Sequence, residues 1–164
     1  MKTKILLFSM ILVSSIACGQ ASPDESAKGT VASTTIEISY SSPRVKERTI
    51  YGDLVPYDKV WRAGANENTT IEFDNPVKVN GESLAAGKYG FFIIPTEGSS
   101  WTAIFSNKND SWGSSSYNDS EDALRVDIKA KDTKENVENL TYTVTDKSVK
   151  FAWADKYFEM KISK

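Results

Sequence analysis

The chain of 164 residues contains no histidine and only one cysteine, Cys18. The absence of histidine excludes Ser-His-Asp and Cys-His catalytic sites, zinc sites with paired histidines and any imidazole general base. The absence of a second cysteine excludes intrachain disulfides, thiolate zinc sites and Cys-x-x-Cys redox chemistry. An enzyme with this sequence would therefore depend on carboxylate, Lys, Tyr, Ser or Arg side chains, or on a metal with oxygen ligands.

The chain also lacks a long run of lysine or arginine, and its formal net charge is −2. Domains that bind nucleic acid usually carry clustered positive charge that contacts phosphates, so we expect no nucleic-acid partner. The length favours one domain that is large enough to bury a self-sufficient core. We therefore predict that the fold needs no disulfide, no metal and no other cofactor.

The N-terminus has the layout of an export signal. Lys2 and Lys4 precede an apolar run over residues 5–13, and small residues follow. The run has about half of the roughly 20 residues that a membrane-spanning helix needs. We interpret residues 1–17 as a signal peptide of the lipoprotein type, cleaved before Cys18, because lipidation explains a lone cysteine at this position. Ordinary secretion with cleavage after Ala21 is the alternative.

This interpretation sets the expected domains and the location. Residues 18–29 are polar and predict a flexible tether, and residues 30–164 form the folded domain. A lipid on Cys18 would hold the domain to the cell envelope, at the outer membrane or in the periplasm. Without the lipid the protein would be secreted. No motif indicates a protein partner.

Residues 30–164 alternate between apolar and polar side chains with a period of two. Ile36, Ile38 and Tyr40, for example, would share one face of a strand. The dipeptide Asn80-Gly81 is typical of a hairpin turn, and no stretch has the apolar stripe of a regular helix. The pattern predicts an all-β domain, a single antiparallel sandwich or barrel-like fold of about eight or nine strands.

Two stretches interrupt the strand pattern. Residues 41–68 are rich in Pro, Gly, Arg and aromatic side chains, and residues 107–122 are rich in Asn, Asp, Ser and Gly around Trp112 and Tyr117. Long loops in compact domains are usually functional or disordered. We therefore expect ligand-binding residues in these two stretches.

Several short motifs resemble those of one known family. They are Tyr40-Ser41-Ser42-Pro43, Leu54-Val55-Pro56-Tyr57, Trp61-Arg62-Ala63-Gly64-Ala65-Asn66 and Ala86-Gly87-Lys88-Tyr89. Together they resemble the domain-of-unknown-function family 2911, which is common among exported proteins of Bacteroidota. The resemblance implies export and a compact β-rich domain, and it implies no activity.

The densest group of chemically capable side chains is Trp61, Arg62, Asn66 and Glu67. An arginine fork can hold a carboxylate or phosphate through two hydrogen bonds, and a tryptophan face can stack on a sugar. The amide of Asn66 and the carboxylate of Glu67 would add directional hydrogen bonds. The alternative is architectural, with Trp61 in the core and Arg62 joining neighbouring loops.

Three further residues are candidates for the same role. Arg44 and Arg48 lie in the first irregular stretch, and arginines that converge on one cleft would favour an anionic ligand. Scattered, solvent-exposed arginines are the alternative. Trp112 is either a platform for a ligand or part of the core.

Metal binding and catalysis are less well supported by the sequence. The oxygen-rich loop of residues 107–122 has the ligand type that calcium prefers, but its spacing matches no known calcium loop, so we expect a solvated loop without metal. Carboxylates such as Glu37, Glu67 and Asp74 would serve glycoside hydrolysis only at a particular separation. We therefore assign no catalytic residues.

The sequence favours a binding module over an enzyme. We expect an exported, lipid-anchored β-domain that binds a small polar or anionic ligand or a glycan. One alternative is a histidine-independent hydrolase or lyase that uses carboxylate, Tyr or Lys groups. Another is a structural protein of an envelope assembly.

Overall fold

The computed structural model describes residues 21–164, and residues 1–20, with the expected signal peptide and Cys18, lie outside the described part. That part contains one short 3-10 helix (Asp119–Glu121) and ten strands. The strands are β1 (Asp24–Val31), β2 (Thr34–Ser41), β3 (Ala65–Phe73), β4 (Val77–Val79), β5 (Glu82–Leu84), β6 (Gly87–Ile94), β7 (Ser100–Ser106), β8 (Asp122–Lys129), β9 (Lys131–Val144) and β10 (Ser148–Ser163). Among these residues no helix is long and apolar enough to cross a membrane.

The strands form two antiparallel sheets that pack face to face. The six-stranded sheet has the order β1-β2-β3-β6-β7-β8, and the four-stranded sheet has the order β5-β4-β10-β9. The prediction of an all-β antiparallel sandwich is confirmed, and the sheets do not close into a barrel.

The strand boundaries differ from the prediction at both ends of the domain. Residues 24–29, expected to belong to the tether, are instead the first part of β1, and every residue of β1 pairs with β2. β1 is an edge strand whose side chains are mostly exposed, so no apolar alternation marks it in the sequence. Near the C-terminus, the sequence predicts a turn between two strands at the polar pair Asp155-Lys156. The pair instead lies inside β10, where Ala154 has a φ of 53° in a β-bulge.

The hydrophobic core lies between the two sheets and is built from side chains between Val31 and Ile162. Its centre is aromatic. Trp61 stacks on Trp153 with ring centroids 5.7 Å apart, and Phe151 stacks on Phe158 at 4.8 Å. Burial of such rings removes much apolar area from water and contributes about 1.5–3 kcal/mol for each side chain.

The six-stranded sheet splits between β3 and β6. The two strands pair only from Thr70–Gly90 to Phe73–Gly87. Beyond Gly90, β6 exchanges backbone hydrogen bonds with Trp61, and β3 pairs with the loop of residues 107–122 through Ser111 and Trp112. The split therefore brings together the two irregular stretches of the sequence on one sheet.

Candidate ligand-binding site

Trp61 lies in the core and is not available to a ligand. Its side chain is buried, and its indole Nε1 donates a hydrogen bond to the carbonyl oxygen of Gly64 at 3.2 Å. The backbone of Trp61 pairs with Ile93 in both directions at 2.8 Å. Trp61 therefore has the architectural role that the sequence left open as an alternative.

The residues that follow Trp61 are held in place by contacts with β3 and β9. The carbonyl oxygen of Ala63 accepts hydrogen bonds from the hydroxyls of Thr69 at 3.2 Å and Tyr142 at 2.7 Å. A Cβ on Gly64 would lie 2.6 Å from Oγ1 of Thr69, so only glycine fits there. The amide of Asn66 donates to the carbonyl oxygen of Ser22 at 3.1 Å, and this bond holds the N-terminal segment against β3. This part of the motif is architecture.

Arg62 points to the outer face of the same sheet, where it is half-buried beneath the loop. Its Nη1 would lie 3.7 Å from a Cβ on Gly113. Its Nε is buried without a hydrogen-bond partner, and no carboxylate of residues 21–164 forms an ion pair with it. Burial lowers the pKa of Arg62. A guanidinium in this position does not tie two loops together.

Replacement of Arg62 by lysine should therefore leave the free energy of unfolding within about 0.5 kcal/mol of the wild-type value, because no hydrogen bond is lost. The matched control is Arg125→Lys. Arg125 bonds Asp122 and the hydroxyl of Tyr117, both at 2.6 Å, so its replacement should lower stability more. Chemical denaturation measures both changes. A large drop for Arg62→Lys alone would show that Arg62 holds the loop in place.

Glu67 and Trp112 face each other across an isolated antiparallel bridge. Trp112 is 67% exposed. In the described part, Leu54 is the only other large hydrophobic residue that is exposed. Between β3 and the loop lies a groove of about 400 Å³, which we call the Trp112 groove. It is lined by Ser39, Glu67, Asn68, Thr70, Lys88, Asn109, Asp110, Ser111 and Trp112.

The groove offers hydrogen-bonding groups of both kinds beside an aromatic face. Glu67 and Asp110 supply carboxylates, and Lys88 supplies an ammonium group. Oδ1 of Asn68 is buried and has no hydrogen-bond partner, although its amide nitrogen donates to the carbonyl oxygen of Thr69 at 3.1 Å. A buried acceptor without a partner is rare in folded proteins. The exposed side chains of the lining, Glu67, Asp110 and Lys88, could form hydrogen bonds with a ligand that carries several hydroxyl groups.

The loop that carries Trp112 is anchored to the sheet at two places. The hydroxyl of Tyr117 donates to Asp122 at 2.6 Å, and its ring packs on Phe92 with centroids 5.1 Å apart. Burial and the bond to Asp122 raise the pKa of Tyr117 to about 12. The backbone also crosses directly over Gly90, where a Cβ would lie 2.3 Å from the carbonyl oxygen of Lys108. These contacts hold Trp112 in a defined position.

The predicted site residues thus separate into several groups. Glu67 and Trp112 share the groove, Arg62 lies next to Gly113 in the same loop, and Trp61 and Asn66 are architectural. Several groove residues were missed in the sequence, among them Asn68, Lys88 and Asn109. Ser39 and Thr70 carried a signal, because their polar side chains alternate with the apolar residues of β2 and β3.

Arg44 and Arg48 line a different cleft, beside residues 21–23 at the N-terminal end of the described part. Both side chains are exposed. The predicted convergence of arginines on one cleft therefore involves these two residues, and Arg62 lies elsewhere.

The carboxylates considered for calcium or catalysis are dispersed over the surface. Asp110 pairs with Lys108 at 2.7 Å, and Glu37 pairs with Lys28 at 2.8 Å. Asp74 accepts a hydrogen bond from the backbone N–H of Thr35 at 2.8 Å. Hydrogen bonding with the side chain and the backbone of Thr35 lowers the pKa of Asp74. Within residues 21–164 no three acidic side chains cluster as metal ligands would.

Comparison with known proteins gives one match. A family model described as "Protein of unknown function (DUF2911)" matches residues 22–162, which is nearly all of the described part. No curated protein and no solved structure matches the chain.

Proposed function

The chain belongs to the DUF2911 family, and we propose that it is an exported binding module that holds a polar, glycan-like ligand in the Trp112 groove. The observation that carries the proposal is the exposed ring of Trp112 opposite Glu67. An exposed tryptophan offers a ligand a large apolar face together with an indole N–H donor.

A sugar matches the chemistry of this groove. The C–H face of a sugar ring packs on the face of tryptophan, while its hydroxyls donate and accept hydrogen bonds at the rim. Glu67 would accept such bonds, and Lys88 would donate them. The groove volume of about 400 Å³ is at the lower end of the range for small-ligand sites.

The enzyme alternative finds less support. It needs an enclosed cleft with a buried acid or base, whereas Glu67, Asp53 and Asp58 are all exposed and Tyr57 is half-buried. An assembly protein would need a broad apolar surface. In the described residues the two exposed large apolar side chains, Leu54 and Trp112, lie on separate loops.

Export and lipid anchoring are part of the proposal. They rest on the signal pattern of residues 1–17 and on Cys18, as argued from the sequence. β1 begins at Asp24, so the chain between Cys18 and the sandwich would span at most roughly 20 Å when fully extended. We therefore propose that the module works close to a membrane, with a small-molecule or glycan ligand and no nucleic acid.

Tryptophan fluorescence provides the test. Three of the four tryptophans, Trp61, Trp101 and Trp153, are buried, so a change in emission from the exposed indole reports on the groove. Purified protein is titrated with gluco-, manno-, xylo- and chito-oligosaccharides. We expect at least one series to shift the emission to shorter wavelength, because a bound sugar removes water from the ring of Trp112.

The variant Trp112→Ala should weaken that binding at least about tenfold, which corresponds to about 1.4 kcal/mol and is within the contribution of one aromatic contact. Leu54→Ala is the matched control, since it removes the other exposed large apolar side chain. Unchanged affinity in Trp112→Ala, measured by calorimetry, would refute the groove as the binding site. The absence of any response across the panel would count against a glycan ligand.

A further inference from the structure

The described part contains a second cleft whose lining is basic. It has a volume of about 300 Å³ and lies between residues 21–23 and the segment after β2. We call it the basic cleft; it is lined by Ala21, Ser22, Pro23, Ser42, Arg44, Lys46 and Arg48. No Asp or Glu is among these residues, although the chain as a whole is mildly acidic.

One wall of the basic cleft is fixed by hydrogen bonds. The carbonyl oxygen of Pro23 accepts from the backbone N–H of Ser42 at 2.8 Å. The carbonyl oxygen of Ser22 accepts from the amide of Asn66 at 3.1 Å. The N-terminal segment is therefore held against the sandwich, and the cleft exists before a ligand arrives.

The cationic side chains are held by a tight turn on the opposite wall. The N–H of Arg48 donates to the carbonyl oxygen of Val45 at 3.1 Å, and the two residues between them, Lys46 and Glu47, have φ values of 49° and 58°. Asn or Gly adopts this left-handed conformation at lower cost. The left-handed backbone of Lys46 is therefore locally strained. Residues with strained backbones are concentrated at functional sites.

Arg48 is oriented by its own loop. Its Nε donates to the carbonyl oxygen of Val45 at 3.0 Å, and its Nη2 donates to the carbonyl oxygen of Arg44. These bonds use two of the five N–H donors of a guanidinium. The side chains of Arg44 and Lys46 form no ion pair or hydrogen bond with any residue from 21 to 164.

Two carboxylates lie near the turn but outside the cleft. Glu138 accepts a hydrogen bond from the backbone N–H of Lys46 at 3.1 Å, and Glu47 is exposed at the tip of the turn. Neither lines the cleft. Three cations therefore face one concave space without a carboxylate in its lining.

We propose that the basic cleft binds a phosphate group through Arg44, Lys46 and Arg48. Two guanidinium forks and one ammonium group match the several oxygens of a phosphate, in a monoester or a diester, better than the two oxygens of a single carboxylate. The group is carried either by a membrane lipid or by a soluble phosphate ester. If Cys18 is acylated, the lipid is the nearer source. Ala21, which lines the cleft, is three residues from Cys18, and an extended chain of that length spans about 10 Å.

The test uses the chain from Gly19 onward, which contains every core side chain between Val31 and Ile162 and no cysteine to be acylated. Calorimetry measures binding of inorganic phosphate. Sedimentation with vesicles compares phosphatidylcholine alone with phosphatidylcholine that contains phosphatidylglycerol. Binding should weaken when the salt is raised from about 0.1 M to about 1 M, because the Debye length falls from about 10 Å to about 3 Å.

The variant Arg44→Gln with Lys46→Gln should lose at least about tenfold in affinity for the probe that binds the wild type. The control Lys129→Gln with Lys134→Gln removes the same charge from exposed lysines elsewhere and should bind as the wild type does. Binding of phosphatidylglycerol vesicles alone identifies the lipid as the source, and binding of inorganic phosphate identifies a soluble ester.

The proposal is overturned if the wild type binds neither probe, or if both double variants bind equally well. The outcome is separate from that of the Trp112 groove, because the two sites share no lining residue. Oligosaccharide titrations of the Arg44→Gln, Lys46→Gln variant should therefore match those of the wild type.

Discussion

Replacing Gly90 with alanine is expected to lower the free energy of unfolding by about 1–3 kcal/mol, the usual penalty for overpacking. The added Cβ would lie 2.3 Å from the carbonyl oxygen of Lys108 and 2.7 Å from Oδ1 of Asn68. The nearer atom belongs to the backbone, so a rotamer change does not relieve the clash. The loop of residues 107–122 must move away from the sheet, and Trp112 moves with it.

Gly98→Ala is the control for this change, because the nearest atom to its added Cβ is 3.7 Å away. We expect its stability to stay within about 0.5 kcal/mol of the wild type. Chemical denaturation gives the stability of both variants, and oligosaccharide titration gives the binding. If Gly90→Ala is as stable as Gly98→Ala and binds equally well, the loop does not depend on contact with β6.

Replacing Cys18 with alanine is expected to move the protein from the membrane fraction to the soluble fraction of the cell envelope. Each buried CH₂ of an acyl chain contributes about 0.8 kcal/mol to membrane attachment, so a protein anchored through Cys18, as proposed, would lose its anchor with this residue. Fatty-acid labelling of cells should mark the wild type and leave Cys18→Ala unmarked.

Ala21→Arg is the matched control for the anchor. It disrupts Gly19-Gln20-Ala21, the pattern of small residues that ordinary secretion would need for cleavage after Ala21, but leaves the residues up to Cys18 intact. A lipoprotein should keep its label and its membrane location in this variant. Unlabelled wild-type protein that begins at Ser22 would instead establish secretion and remove the reason to place the basic cleft at a membrane.

Much of the fold could be predicted from the period of the side chains. Ile36, Ile38 and Tyr40 alternate with polar residues, and all three are buried between the sheets. A residue's position along a strand determines the face on which its side chain lies, so this pattern can be predicted from the local sequence. β1 was missed for the opposite reason, since its stability comes from pairing with β2 along its whole length and not from its own apolar side chains.

The candidate site was only partly predictable. The two irregular stretches were identified from the sequence, except that residues 65–68 belong to β3. Glu67 and Trp112 are the predicted residues that line the groove. Trp61 and Trp112 could not be distinguished, because both are tryptophans in irregular segments. One is buried against Trp153 and the other is exposed, a difference that depends on distant strands.

The sequence alone therefore determined the all-β class, the absence of histidine and thiol chemistry in the folded domain, and the position of the two irregular stretches between strands. These properties depend on the amino-acid composition and on the alternation of neighbouring side chains, neither of which requires knowledge of contacts between distant residues. Only the tertiary structure decided that β3 and β6 separate beyond Gly90, that the loop fills the gap opposite Glu67, and that Arg44 and Arg48 face another cleft. Those arrangements depend on pairing between residues far apart in the chain, which no local pattern specifies.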